Sequence, residues 1–213
     1  MLRPDTFALT LLLASLTALG PMSSDMYVPS LPDIGHSLHV PIAQVQLTIS
    51  SYLVGFALGQ IIYGPISDRL GRKPVLLVAI VIYGLGSVLC ATTRSIDALI
   101  AARFVQALGG AGAIVLARAV VRDLYSGVRA GRELSLMGSI QAFAPIAAPL
   151  IGGVLQTVFG WHASFILLVI GSIASGTLTA RLLPETLRKR TTEPLSLATM
   201  GNLYGSVLSH RSF

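Results

Sequence analysis

An all-α membrane protein with six transmembrane helices is what this sequence predicts, and three observations carry the prediction. Of its 213 residues, 53% are hydrophobic and only 11% charged, with a mean hydropathy of +0.75. Soluble domains carry about 25% charged residues, so there is too little polar surface here to cover a water-facing body. The apolar residues fall into long blocks, each able to cross a hydrocarbon core of about 30 Å. The basic residues alternate with these blocks, which sets topology rather than lining one soluble face. The net charge of +6 and pI near 10 therefore do not point to nucleic acid.

The stretch GPISDRLGRKP, residues 64–74, orients the chain. It holds Asp68, Arg69, Arg72 and Lys73 within six residues, between two apolar runs. Such a cluster cannot sit in hydrocarbon, so a tight loop outside the bilayer is expected, on the cytoplasmic side by its basic excess.

Taken in order, the first span is expected over residues 6–28, about 35 Å of helix at 1.5 Å per residue. It has no A-x-A-type cleavage site and reads as a span rather than a removable signal. Pro29 and Pro32 are expected to break it, leaving His36 and His39 in a loop. The second span, 44–66, carries Gly55 and Gly59, a G-x-x-x-G face for close helix packing. After the charged loop come spans 74–92 and 96–120, joined by a short outer loop with Arg94 and Asp97. A basic loop leads to span 134–159, which contains Gly138, Pro145, Pro149, Gly152 and Gly153. A turn at 160–162 leads to span 163–183. The bundle is thus residues 1–183, and 184–213 begins a polar cytoplasmic segment. With the N-terminus inside, all of the 15 Lys and Arg except Arg94 and Arg103 fall at the cytoplasmic side or span ends. That asymmetry fixes the orientation and demands an even number of spans.

Two charges fall inside hydrocarbon, Asp25 and Arg103. Each lies about 10 Å below the outer boundary by helical rise. Equal depth and opposite sign predict a direct or water-mediated pair in a solvated cavity, with Asp25 taking and releasing a proton beside Arg103. A structural ion pair or snorkelling to the surface is the plainer alternative. Gln106 shares the Arg103 face, and Gly109 and Gly112 continue it. Tyr27, Tyr52 and Trp161 read as interfacial anchors or cavity lining. Asp68 sits at a helix C-terminus, where the dipole disfavours an acid. Arg72, Arg122 or another helix N-terminus must offset it, so the group is either a conformational latch or a topology signal.

Enzyme chemistry has no foothold. There is no G-x-S-x-G, H-E-x-x-H, C-x-x-C or phosphate loop. Cys90 is alone, and His36, His39, His162 and His210 are loop or loop-edge residues, so no metal or cofactor is expected.

GPISDRLGRK resembles the loop motif G-x-x-x-D-R-x-G-R-K of the major facilitator superfamily, with Gly64, Asp68, Arg69, Gly71, Arg72 and Lys73 at its defining positions. RFVQALGGAGA resembles the span 4 motif through Arg103, Gln106 and Gly112. APLIGG with Gly138 upstream is similar to the span 5 antiporter motif, with Ala148–Pro149 in place of its usual G-P. LPETL resembles the end of span 6, and SSDMYVPSLPDI resembles span 1 of bacterial Bcr/CflA drug-resistance antiporters. The resemblance implies two three-span inverted repeats and the N-terminal half of a twelve-span carrier. A second six-span half would be missing as a partner, with 184–213 opening the central linker before a seventh span. It implies proton-driven efflux of small amphipathic drugs across the bacterial inner membrane, with the proton gradient as driving force. Asp25, Arg103, Gln106 and Tyr27 would belong to the proton and substrate cavity, the 64–73 motif to a gate, and Gly138, Pro145, Pro149, Gly152 and Gly153 to the antiporter motif. A metabolite facilitator or symporter, or a non-transporting half, remains the alternative.

Overall fold

The computed structural model describes residues 7–187. Arg3, His210, Arg211 and the expected linker from 188 onward lie outside the described residues. The helices are α1 (Phe7–Asp25), α2 (Leu31–Leu38), α3 (Ile42–Leu70), α4 (Arg72–Thr92), α5 (Ile96–Leu124), α6 (Gly127–Phe159) and α7 (His162–Leu182). No strand occurs among the described residues. With α1 and α2 taken as one apolar stretch, six segments are long and apolar enough to cross a membrane.

Several expected loops are helix. The first helix does end just before Pro29, at Asp25, but no loop follows. Pro29 and Pro32 each stand in the first turn of a new element, the 3-10 turn Val28–Ser30 and then α2, where a missing N–H costs nothing and the fixed φ helps. His36 is therefore helical, and His39 closes α2 in the left-handed conformation at φ 55°. The charged loop of 64–74 shrinks to Gly71, since α3 runs through Asp68 and Arg69 and α4 begins at Arg72. The basic loop after the fourth span is also mostly helix, because α5 and α6 are separated only by Tyr125 and Ser126. Charged residues mark the end of the hydrocarbon, not the end of hydrogen-bonded backbone, so the helices continue into the water layer. At the other end of α5 the start falls where expected, because the Ser95 side chain accepts the Ala98 N–H at 3.3 Å and satisfies one orphan donor.

The bundle is built around α5. Of its most apolar 18-residue window 72% is buried, against 17–50% for the other spans. The cause is local: Gly109, Gly110, Ala111, Gly112 and Ala113 are all buried, and small side chains let neighbouring backbones approach. The predicted G-x-x-x-G face packs here. A Cβ on Gly55 would meet Phe104 O at 2.6 Å, and one on Gly59 would meet Ala111 Cβ at 2.7 Å. Gly55→Leu should therefore lower stability by about 1–3 kcal/mol through overpacking. Thermal unfolding in detergent measures this, and an unchanged midpoint would show that α3 is not held at this distance.

Leu12, Leu16, Leu76, Leu116 and Val120 form an aliphatic core at one end of the bundle. A more aromatic core with Tyr27, Tyr83, Trp161 and Phe165 lies at the other. The polar side chains that matter lie between and beside these cores.

Candidate functional site

Arg103 is fully buried, 0% exposed, on the innermost helix. Its Nη1 donates to Ser23 O and Ser23 Oγ, both at 3.1 Å, and to Gln106 Oε1 at 2.6 Å. Gln106 Nε2 donates onward to Ser87 Oγ at 2.8 Å, and Ser87 Oγ to Tyr83 O at 2.8 Å. The guanidinium carbon stands 4.2 Å from the Tyr52 ring centroid, 4.7 Å from Tyr27 and 5.8 Å from Phe165. Aromatic faces attract a desolvated cation, by about 2 kcal/mol or more in such settings. The rings are themselves fixed: Tyr52 OH donates to Gly20 O at 3.0 Å, and Tyr27 OH lies 2.7 Å from Thr48 Oγ1. Five helical elements thus hold one cation. Its Nε remains a buried donor with no acceptor.

The expected Asp25–Arg103 pair is not formed. No ion pair within 4.0 Å joins them among the described residues. Ser23, two positions earlier, faces Arg103 instead. Residues i and i+2 on an α-helix lie about 200° apart, so the carboxylate is on the opposite face of α1. Asp25 is half-buried and accepts from Ser24 Oγ at 2.8 Å. Helical spacing put Gln106 on the Arg103 face, and the two are hydrogen-bonded; Tyr27, expected as an anchor or cavity lining, also stands against the guanidinium. Spacing did not find Ser23, Ser87 or Phe165. A serine or phenylalanine in an apolar run gives no signal until its face is known.

A second cluster forms at the other end. Arg72 Nη2 pairs with Asp68 Oδ1 at 2.6 Å, Nε with Asp123 Oδ2 at 2.9 Å, and Nη1 donates to Ser67 Oγ at 2.5 Å. Each charge sits at an unfavourable helix end, Asp68 at a C-terminus and Arg72 at an N-terminus. The single-residue link at Gly71 brings them face to face. Of the offsets considered for Asp68, the structure selects Arg72. Glu185 then caps α4: Oε1 accepts from Arg72 N at 2.9 Å and Oε2 from Lys73 N at 3.2 Å. Lys73 Nζ donates to Ala180 O at 2.8 Å, at the C-terminal end of α7, where a cation is favoured. Gly64 has nothing within 4 Å of where a Cβ would stand, and Arg69 is exposed at the end of α3.

The span 5 residues divide. Gly152 packs so closely on Met26 of the first span that a Cβ would overlap its backbone. Gly138 and Gly153 meet nothing within 4 Å, and Pro145 is exposed inside α6 while Pro149 is half-buried. That face is unpartnered in the described bundle. Among the described residues no group of three His, Cys, Asp or Glu could hold a metal ion.

Six apolar spans around a buried, hydrogen-bonded cation define a multi-pass helical membrane protein. The sequence model of the Major Facilitator Superfamily matches residues 13–212, and the chain belongs to that superfamily, a family of transporters rather than enzymes. Among its relatives are the uncharacterized MFS-type transporter YdgK of Bacillus subtilis, 40% identical over 98% of this chain and 52% of its own length. The bicyclomycin resistance protein homolog of Haemophilus influenzae is 36% identical over 92% and 49%. Multidrug resistance protein D of Escherichia coli is 37% identical over 87% and 47%. The chain spans about half the length of the curated relatives it matches. The human organic anion transporter MFSD10 shares the fold, with a TM-score of 0.76 at 18% identity over 94% of this chain and 54% of that one.

Proposed function

We propose that this chain forms one half of a proton-coupled exporter of small amphipathic drugs. It would lie in the bacterial inner membrane with its N-terminus in the cytoplasm. The proton gradient drives export and no cofactor takes part. The observation that carries the reading is a fully buried guanidinium held by neutral oxygens and rings, with its Nε unsatisfied and a half-exposed carboxylate one helix face away. A permanent buried charge without a counter-ion is costly, and intramembrane ionisable groups mark ion and substrate paths. Asp25 is the group that can change charge, and Arg103 is the fixed charge that makes its protonation depend on what occupies the space between them. The names of the bicyclomycin and multidrug resistance relatives support the choice of drugs over metabolites. The second wall of the path would be a further six-span half, since alternating access works by two halves rocking about a midplane site.

The test is drug-dependent proton release from the intact protein in detergent, paired with resistance in cells. The unaltered protein should release protons on drug binding. Asp25→Asn should release none and confer no resistance, while reaching the membrane at the same level. Undiminished resistance in Asp25→Asn would remove this carboxylate from coupling, and proton-independent export would turn the reading to a facilitator.

A further inference from the structure

The end of the bundle opposite the Arg72 cluster carries a cavity that the transport reading does not use. It measures about 530 Å³ and lies where α2, the end of α4 and the start of α7 meet, lined in part by Ser37, Thr92, Thr93, Arg94, Trp161 and His162. No carboxylate lines it. Arg94 is exposed and makes no hydrogen bond or ion pair among the described residues, and the side chains of Ser37 and His162 are likewise without one there. The nearest acid on α2, Asp33, is taken by Gln156 Nε2 at 2.7 Å. Trp161 stacks on His162 at 3.5 Å between centroids and forms one wall. The cavity therefore offers a guanidinium, a hydroxyl and an imidazole that no acceptor among the described residues engages.

What lies below the cavity selects the acceptor. Leu85 and Leu89 on α4 and Ile166 and Ile170 on α7 are each more than half exposed. They follow within about 12 Å of Thr92 and His162 at 1.5 Å per residue. Half of a hydrocarbon core is about 15 Å, so this aliphatic surface has the depth of one leaflet. Gln60 and Arg118, by contrast, line a cavity between α3, α5 and α6. The exposed α4–α7 surface is thus apolar enough to face lipid, and tryptophan at such a boundary is a headgroup-level anchor.

We propose that this cavity binds the phosphate of a phospholipid through Arg94, His162 and Ser37, with the acyl chains lying on the exposed aliphatic faces of α4 and α7. The site is separate from Asp25 and Arg103, so it stands or falls independently of the export reading. The experiment is native mass spectrometry of the full-length protein in detergent with added phosphatidylglycerol. Arg94→Gln should cut the retained lipid about tenfold, the loss of one charge-assisted hydrogen bond. Arg181→Gln, an exposed cation at the other end of α7, should leave retention unchanged. Excess sn-glycerol 3-phosphate, which has the phosphate without the chains, should fail to displace the lipid. Equal retention in Arg94→Gln overturns the proposal. So does displacement by glycerol phosphate, which would make this a site for a chainless anion.

Discussion

Arg103→Ala is expected to abolish export while the protein still reaches the membrane, and Arg103→Lys is expected to fail as well. The lysine prediction is the sharper one. Nη1 of Arg103 serves Ser23 O, Ser23 Oγ and Gln106 Oε1 while the plane of the group lies against Tyr52 and Tyr27. A lysine keeps the charge but not the planar fork, and cannot meet those acceptors and stack at once. Alanine removes the charge and also leaves buried acceptors unpaired, at about 1–3 kcal/mol each. Stability must therefore be read beside function. Gln106→Ala is the comparison: it removes one acceptor and keeps the cation, so it should destabilise without ending export. Full resistance in Arg103→Lys would mean that only the charge matters and that the aromatic enclosure is incidental.

Gly71→Val should be the most destabilising single change near the charged motif, at about 2–4 kcal/mol. Two causes act together. The residue sits at φ 107°, ψ 152°, a region open essentially to glycine alone. A Cβ there would also stand 2.5 Å from Glu185 Oε2, displacing the carboxylate that caps α4. Differential thermal unfolding of Gly71→Val, Glu185→Ala and the double variant separates the two. Both single changes remove the same cap, so the double variant should lose less than their sum. Strict additivity would mean that Gly71 acts through its backbone angle only. A fully stable Gly71→Val would contradict the one-residue link itself.

The motif was legible as a charged boundary but not as a geometry. Charges at Asp68, Arg69, Arg72 and Lys73 say where hydrocarbon must end. They do not say that the chain turns on one glycine, because helix hydrogen bonding continues through charged residues at no penalty in water. Glu185 was visible within LPETL, yet its partners lie 112 and 113 positions away, and no local pattern joins them. The same distinction explains Asp25 and Arg103. Depth follows from counting residues along each helix, and Arg103 does reach the first span at Ser23, two positions before Asp25. Azimuth follows from how α1 rotates against α5. That rotation is set where Gly20, Ser23 and Tyr27 pack, with Ile114 near Gly20 and the guanidinium against Ser23 and Tyr27.

By itself, then, the sequence determined the class of protein and its six apolar spans, though not where each helix ends. Hydrocarbon length and the cost of charge in lipid act residue by residue and need no knowledge of neighbours. Only the tertiary structure decided which side chains share a face. Ser23 replaced Asp25 beside Arg103, and Glu185 joined Arg72, because helix rotation and long-range packing depend on every contact of the bundle at once.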